Sequence, residues 1–158
     1  MSTDEFEEDQ EASVIAKTIQ KHAVNILGQI STTKSLYHLI HQFRTLLRLA
    51  RSTYRELVKL KRVGGNGTNP YIVSMQFIWN LIKSTIVLWR GIADKSLTAY
   101  LDAINFAYKA VPVDFKTDED IQILGHVLTL ISGSVKCCSE GADQSTLVLF
   151  AETIDNGH

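Results

Sequence analysis

A long apolar seam, a glycine-rich break and a second apolar seam constrain this 158-residue chain more than any other feature. From Leu36 to Val63, apolar residues recur at alternating steps of four and three, which is the spacing of one face of an α-helix. The segment 63–70 contains three glycines and ends in proline, so it ends this helix, and the rhythm resumes after Tyr71. The two seams comprise Leu36, Ile40, Phe43, Leu47, Ala50, Tyr54 and Leu57, and then Met75, Trp79, Ile82, Ile86, Trp89 and Ala93. The pattern predicts a long antiparallel helical hairpin.

Helical spacing also occurs on both sides of this hairpin. One apolar face covers residues 13–30, and another covers residues 95–111, where Pro112 ends the helix because proline has no backbone donor. Thr117 is the predicted N-cap of a last helix with an acidic first turn, and Gly133 is its predicted end. The predicted fold class is all-α, a hairpin with flanking helices.

Charge and composition divide the chain into three segments. Residues 1–12 are predicted to form a disordered acidic tail, because six acids and no base lie among the first eleven positions. Residues 13–135 would form one helical assembly domain, and residues 136–158 a loop-like tail with a short apolar run. The formal net charge of −1 conceals a basic stretch, residues 34–62, which contains eight lysines or arginines and one glutamate.

Five arginines in that basic stretch are spaced so that they share one face of the predicted helix. They are Arg44, Arg48, Arg51, Arg55 and Arg62. Such a row can bind phosphates, with affinity supplied by counterion release. It can equally be the solvated face of an exposed helix, whose aliphatic stems cover apolar neighbours. A net charge near zero and the absence of a basic tail favour the solvated face, so nucleic acid is the less supported partner.

Motifs for catalysis, cofactors or metals are weak throughout. His38 and His41 lie three residues apart on one helix, but a zinc site needs further ligands. The segment 64–67 is glycine-rich, yet it lacks the preceding strand and the lysine of a phosphate-binding loop. Adjacent Cys137 and Cys138 are interpreted as small apolar residues in a reducing compartment. The sequence predicts no catalytic residue, no metal and no cofactor, and therefore no enzyme.

The segment from Tyr71 to Trp89 contains a single charge, Lys83, and could be a membrane span. Its polar residues, Ser74 and Asn80 among them, would be unfavourable in lipid unless they were paired. The favoured interpretation is a helix that is buried on most sides, with a second copy of the hairpin covering its tryptophans. The sequence therefore predicts a homodimer that does not enter a membrane.

Three motifs of the hairpin and of the helix after it lie in this order: the pair Ile78-Trp79, the triplet Trp89-Arg90-Gly91, and the segment Leu-Thr-Ala-Tyr-Leu-Asp-Ala-Ile-Asn-Phe-Ala-Tyr-Lys-Ala-Val-Pro at 97–112. These motifs resemble the core (capsid) proteins of hepadnaviruses and their fish relatives, the nackednaviruses. The order of helices also matches over residues 34–125. The chain departs from the family in lacking its double proline and its arginine-rich tail, which puts genome packaging in doubt unless the arginine row substitutes.

The resemblance implies a subunit that dimerises through a four-helix spike and assembles into an icosahedral shell, located in the virion and the host cytoplasm. The implied dimer interface comprises Leu36, Ile40, Phe43, Leu47, Tyr54, Leu57, Met75, Trp79, Ile82, Ile86 and Trp89. Contacts between dimers would involve Tyr100, Phe106, Tyr108, Pro112 and Phe115. The alternatives are a helical adaptor that binds partner helices and a membrane-associated helical protein.

Overall fold

The computed structural model describes residues 3–32, 35–60, 69–92, 98–112, 114–115 and 117–139. Within these ranges the chain forms five α-helices and no strand. The helices are α1 (Thr3–Ser31), α2 (Leu36–Leu60), α3 (Pro70–Ile92), α4 (Thr98–Lys109) and α5 (Asp118–Ser139). The predicted all-α class is confirmed. Predictions for the segment 61–68, including Arg62, and for residues 140–158 fall outside the described residues.

Asn69 lies at the junction of α2 and α3. Its Oδ1 accepts a hydrogen bond from the backbone N–H of Tyr71 at 3.0 Å, which caps α3, and Pro70 takes the first helical position as predicted. Its Nδ2 donates to the carbonyl oxygen of Leu57 at 3.0 Å, near the end of α2. One buried side chain therefore satisfies backbone groups of two helices and fixes how they meet.

Thr117 is the N-cap of α5, as the sequence predicts, and Asp120 makes the cap reciprocal. The N–H of Asp120 donates to Thr117 Oγ1 at 3.1 Å, and the N–H of Thr117 donates to Asp120 Oδ2 at 3.4 Å. The predicted end at Gly133 is wrong, because α5 continues to Ser139. A helical glycine costs about 1 kcal/mol relative to alanine, and the burial of neighbours such as Val135 outweighs that cost.

The first helix also differs from its prediction. α1 begins at Thr3, so residues 3–12 are helical rather than part of a disordered tail. Acidic side chains near a helix N-terminus interact favourably with its dipole, and this can extend a helix that packing stabilises further along. From residue 10 onward, where burial in α1 is described, Ala12 and Ala16 are the first buried residues, and each is less than 5% exposed.

The pair formed by α2 and α3 lies at the centre of the packing. Asn69 meets α2 at Leu57, while Phe43 near the start of α2 contacts Trp89 near the end of α3, so the two helices run in opposite directions. α1 packs against both of them, α5 packs against α2, and α4 packs against α5 and α3. This arrangement covers the apolar seams with helices of the same chain, and it leaves the opposite face of α2 in solvent.

Candidate anion-binding face of α2

The two faces of α2 differ completely in chemistry. Its inner face is buried and consists of Leu39, Ile40, Phe43, Leu46, Leu47, Ala50, Thr53 and Leu57. On the outer side Arg48, Arg51 and Arg55 are exposed and Arg44 is half-buried. We call Arg44, Arg48, Arg51 and Arg55 the basic face. The residues share a face because they are four, three and four positions apart on a helix.

The arginines of the basic face have few polar partners. Arg44 Nη1 donates a hydrogen bond to Ser139 Oγ at 3.1 Å, at the end of α5. No acidic side chain among the described residues forms an ion pair with Arg48, Arg51 or Arg55, whereas Arg90 Nη2 pairs with Asp102 Oδ1 at 3.9 Å. Within the described part of the chain, the basic face is therefore a positive surface that no acidic side chain pairs with at Arg48, Arg51 or Arg55.

A small cavity lies where the basic face meets α5, and we call it the α2–α5 cleft. It measures about 100 Å³ and is lined by Arg44, Leu47, Arg48, Arg51, Ser132 and Lys136. Four of its six lining residues are cationic, and none is acidic or aromatic. Ser132 Oγ is buried and has no hydrogen-bond partner among the described residues. A buried hydroxyl without a partner costs about 1–3 kcal/mol, which a bound acceptor could recover.

A larger cavity of about 330 Å³ adjoins this cleft, and we call it the Tyr37 pocket. It is lined by Leu36, Tyr37, Ile40, His41, Arg44, Cys138 and Ser139, so Arg44 lines both cavities. Burial and the neighbouring Cys137 raise the pKa of the Cys138 thiol to about 11, so this thiol is neutral at physiological pH. Tyr37 is 77% exposed although it is a large aromatic residue.

A third cavity of about 180 Å³ lies at the other end of α2. It is lined by Glu11, Ala12, Ile15, Glu56, Lys59, Leu60 and Tyr71. Burial raises the pKa of the Tyr71 hydroxyl, and the charges of Glu56 and Glu11 raise it further. This cavity therefore contains two acidic side chains and one lysine, at the end of α2 that is distant from Arg44.

The residues that the resemblance assigns to a dimer interface lie mainly inside the chain. All of them are buried except Leu36 and Tyr54, which are partly exposed. The physical reason is that α1 and α5 pack against α2, and α1 and α4 pack against α3. Tyr54, for example, lies so close to Gly125 of α5 that a Cβ atom there would overlap with the tyrosine ring.

The residues assigned to contacts between dimers do not form one surface. Tyr100 and Phe115 are buried, and Phe115 has a φ of 23°, a strained value for a non-glycine residue. Tyr108 stacks on Trp79 with ring centroids 4.6 Å apart. Phe106 is 78% exposed and Pro112 is exposed. In this conformation the Phe115 side chain fills the core of its own chain, and its role in contacts between dimers stays a prediction.

The remaining sequence motifs have ordinary surroundings. His38 and His41 are exposed on α2, and the described residues contain no group of three or more potential metal ligands. α3 and α5 are each long and apolar enough to cross a membrane: an 18-residue stretch has a mean hydropathy of 1.3 in α3 and 1.4 in α5. The fold buries 50% of this stretch in α3 and 44% of it in α5. Core helices of soluble proteins can be equally long and apolar.

Comparison with known proteins provides no relative from which a function could be transferred. No protein-family model, no curated protein and no solved structure matches the chain. The candidate site therefore depends on the residues themselves. The spacing of the arginines in the sequence predicts their row, but Ser132 and Lys136 were not predicted as part of the site. Their spacing of four places them on one face of α5, but nothing local shows that this face adjoins the arginines.

Proposed function

We propose that this protein is a non-enzymatic helical subunit that binds nucleic acid through its phosphates, with the basic face of α2 as the contact surface. The observation that supports this proposal is the row of arginines on one exposed helix face with no acidic partner among the described residues. Arginine binds phosphate well because its planar guanidinium offers several donors in a fixed geometry.

The dimensions of the basic face suit a polyanion. Residues 44–55 span about 16 Å of α-helix, which is comparable with the rise of about five base pairs along one strand. Each phosphate that an arginine neutralises releases condensed counterions and contributes affinity that falls with salt. Two acidic side chains beside α2, Glu11 and Glu56, lie at the end of the helix that is distant from Arg44.

The proposal is tested by fluorescence anisotropy with a labelled oligonucleotide over a range of salt concentrations. In the double variant Arg48→Gln, Arg51→Gln, we expect weaker binding and a salt slope reduced by roughly 1.4–1.8, since each phosphate contact contributes about 0.7–0.9. The matched control is Lys17→Gln, Lys21→Gln, which removes the same charge from the exposed side of α1. Equal losses in both variants, or no binding at low salt, would contradict the proposal.

A second function, the viral shell subunit implied by the resemblance, is favoured by one observation. Phe106 is 78% exposed on α4, next to the turn that contains exposed Pro112, and a large exposed aromatic residue is suited to contact another molecule. Copies would then meet through this surface. A four-helix bundle between two copies would require α1, α4 or α5 to leave the seams that they cover.

Light scattering on a sizing column, with negative-stain microscopy of any large species, tests the shell proposal. We expect closed particles whose formation is lost in Phe106→Ser and retained in Val24→Ser, which changes an exposed residue of α1. A discrete small species at every salt concentration would exclude a shell and would fit the adaptor hypothesis instead.

A further inference from the structure

Two adjoining cavities beside α2 differ in chemistry in a complementary way. The α2–α5 cleft is lined by four cations and one hydroxyl, and it contains no aromatic side chain. The Tyr37 pocket is lined mostly by apolar and aromatic residues. Arg44 lines both cavities, so a ligand with an anionic part and an aromatic part could occupy them together. A nucleotide has these two parts.

We infer that the two cavities bind one nucleotide unit of a single-stranded nucleic acid, with its phosphate in the α2–α5 cleft and its base against Tyr37. This inference rests on the proposed function, because it specifies how the basic face holds the strand. It adds a base contact and a hydroxyl contact to what would otherwise be binding by charge alone.

The phosphate half of the site is defined by convergence of charge from two helices. Arg44, Arg48 and Arg51 approach from α2, and Lys136 approaches from α5. Ser132 lines the same cleft, and its Oγ is buried without a hydrogen-bond partner among the described residues. A phosphate oxygen would accept a hydrogen bond from this hydroxyl and would neutralise the surrounding cations.

The base half of the site depends on Tyr37. Its ring is 77% exposed, and it lines the pocket together with Leu36 and Ile40, which supply an apolar surface. Every base has a π-face, so stacking on a tyrosine is tolerant of sequence. Bases in a duplex are already paired and stacked, and only an unpaired base can stack on a side chain in this way. The site therefore favours a single strand over a duplex.

Three labelled oligonucleotides of equal length separate the two halves of the site: a single strand, the same strand with abasic positions, and a duplex. The abasic strand keeps the phosphates and lacks the bases. We expect the native protein to bind the ordinary single strand most tightly. Tyr37→Ala should weaken binding to that strand by about 5- to 150-fold and leave binding to the abasic strand unchanged. Tyr37→Phe should retain the preference, because it retains the ring.

Substitution of the buried hydroxyl tests the phosphate half. Ser132→Ala should weaken the binding of ordinary and abasic strands alike, by about 2- to 10-fold, because both present the same phosphate. Thr129→Ala is the matched control, since Thr129 is an exposed hydroxyl on α5 whose Oγ1 bonds to the carbonyl of Gly125. This control should bind like the native protein. Thermal melting by circular dichroism establishes that each variant is folded.

The outcomes separate this inference from the proposed function. If the native protein binds the ordinary and abasic strands equally, or if Tyr37→Ala weakens both equally, the base contact does not exist. The proposed function survives that result provided that Arg48→Gln, Arg51→Gln still loses affinity. If Ser132→Ala binds like the native protein, the phosphate does not occupy the cleft. If no strand binds at low salt, the inference and the proposed function both fail.

Discussion

Along α2, the inner face is enclosed by three other helices, while the outer face presents arginines that pair with no acid of the described residues. The inner face stabilises the fold through removal of apolar surface from water. The outer face contributes little to stability, because exposed charges interact weakly through solvent. Stability and binding should therefore respond to different substitutions, although both depend on the same helix.

The largest expected effect is on the inner face. Phe43 is fully buried and contacts Trp89 edge to face, with ring centroids 6.1 Å apart. We expect Phe43→Ala to lower the free energy of unfolding by about 3–5 kcal/mol, because it removes buried contacts and leaves a cavity. Urea denaturation followed by fluorescence measures the change. Arg55→Gln on the outer face is the control and should stay within about 0.5 kcal/mol. Similar losses of unfolding free energy in Phe43→Ala and Arg55→Gln would contradict the view that only the inner face of α2 stabilises the fold.

A smaller effect is expected where α5 packs beside α2. At Gly125 an added methyl group would overlap with Tyr54, so Gly125→Ala should destabilise the protein by about 1–3 kcal/mol. Gly28 of α1 has no atom within 4 Å of the same position, and Gly28→Ala should stabilise by about 0.5–1 kcal/mol through helix propensity. The destabilisation should disappear in a Tyr54→Ala background. A gain in stability for Gly125→Ala in the native background would show that the packing is loose.

The smallest expected effect depends on alkaline pH. Burial raises the pKa of Cys138 from its ordinary value of 9.0 to about 11, so the unfolded chain loses this proton first. Stability should be constant below about pH 8 and should fall as pH rises through the folded-state pKa. Burial also raises the pKa values of Tyr54 and Tyr108, which act in the same direction above about pH 10. Urea midpoints measured against pH for the native protein and for Cys138→Ala check this prediction. The variant should lose less stability as the pH rises. Identical pH profiles for the two proteins would show that the Cys138 thiol does not cause the loss.

Much of the fold could be predicted because its signals are local. Apolar spacing located α2 and α3, and residue type identified the helix start at Pro70 and the cap at Thr117. The errors occurred where packing outweighed a local signal. Residues 3–12, predicted to be disordered, form the start of α1, and Gly133, predicted to end a helix, lies within α5. In both helices buried neighbours such as Ala12 and Val135 favour the helix.

The candidate site was predicted only in part for a related reason. The arginine row follows from spacing within one helix, and the structure leaves most of it exposed. The α2–α5 cleft requires knowledge of how α5 docks on α2, and Ser132 and Lys136 carry no local sign of that docking. Likewise, the sequence indicated that something covers the seams, but periodicity does not distinguish α1 and α5 from a second molecule. The resemblance, not periodicity, assigned Phe115 to contacts between dimers, and in this conformation its side chain is buried.

The two tryptophans of the chain both lie on α3 and face different neighbours. Trp79 stacks on Tyr108 of α4, and Trp89 meets Phe43 of α2. Intrinsic emission therefore contains two reporters on one helix. Trp89→Phe removes an indole N–H that has no partner among the described residues. The emission of this variant comes from Trp79 and therefore reports the docking of α4. In Trp79→Phe it follows the pairing of α2 with α3, so two single substitutions resolve the order in which the bundle comes apart.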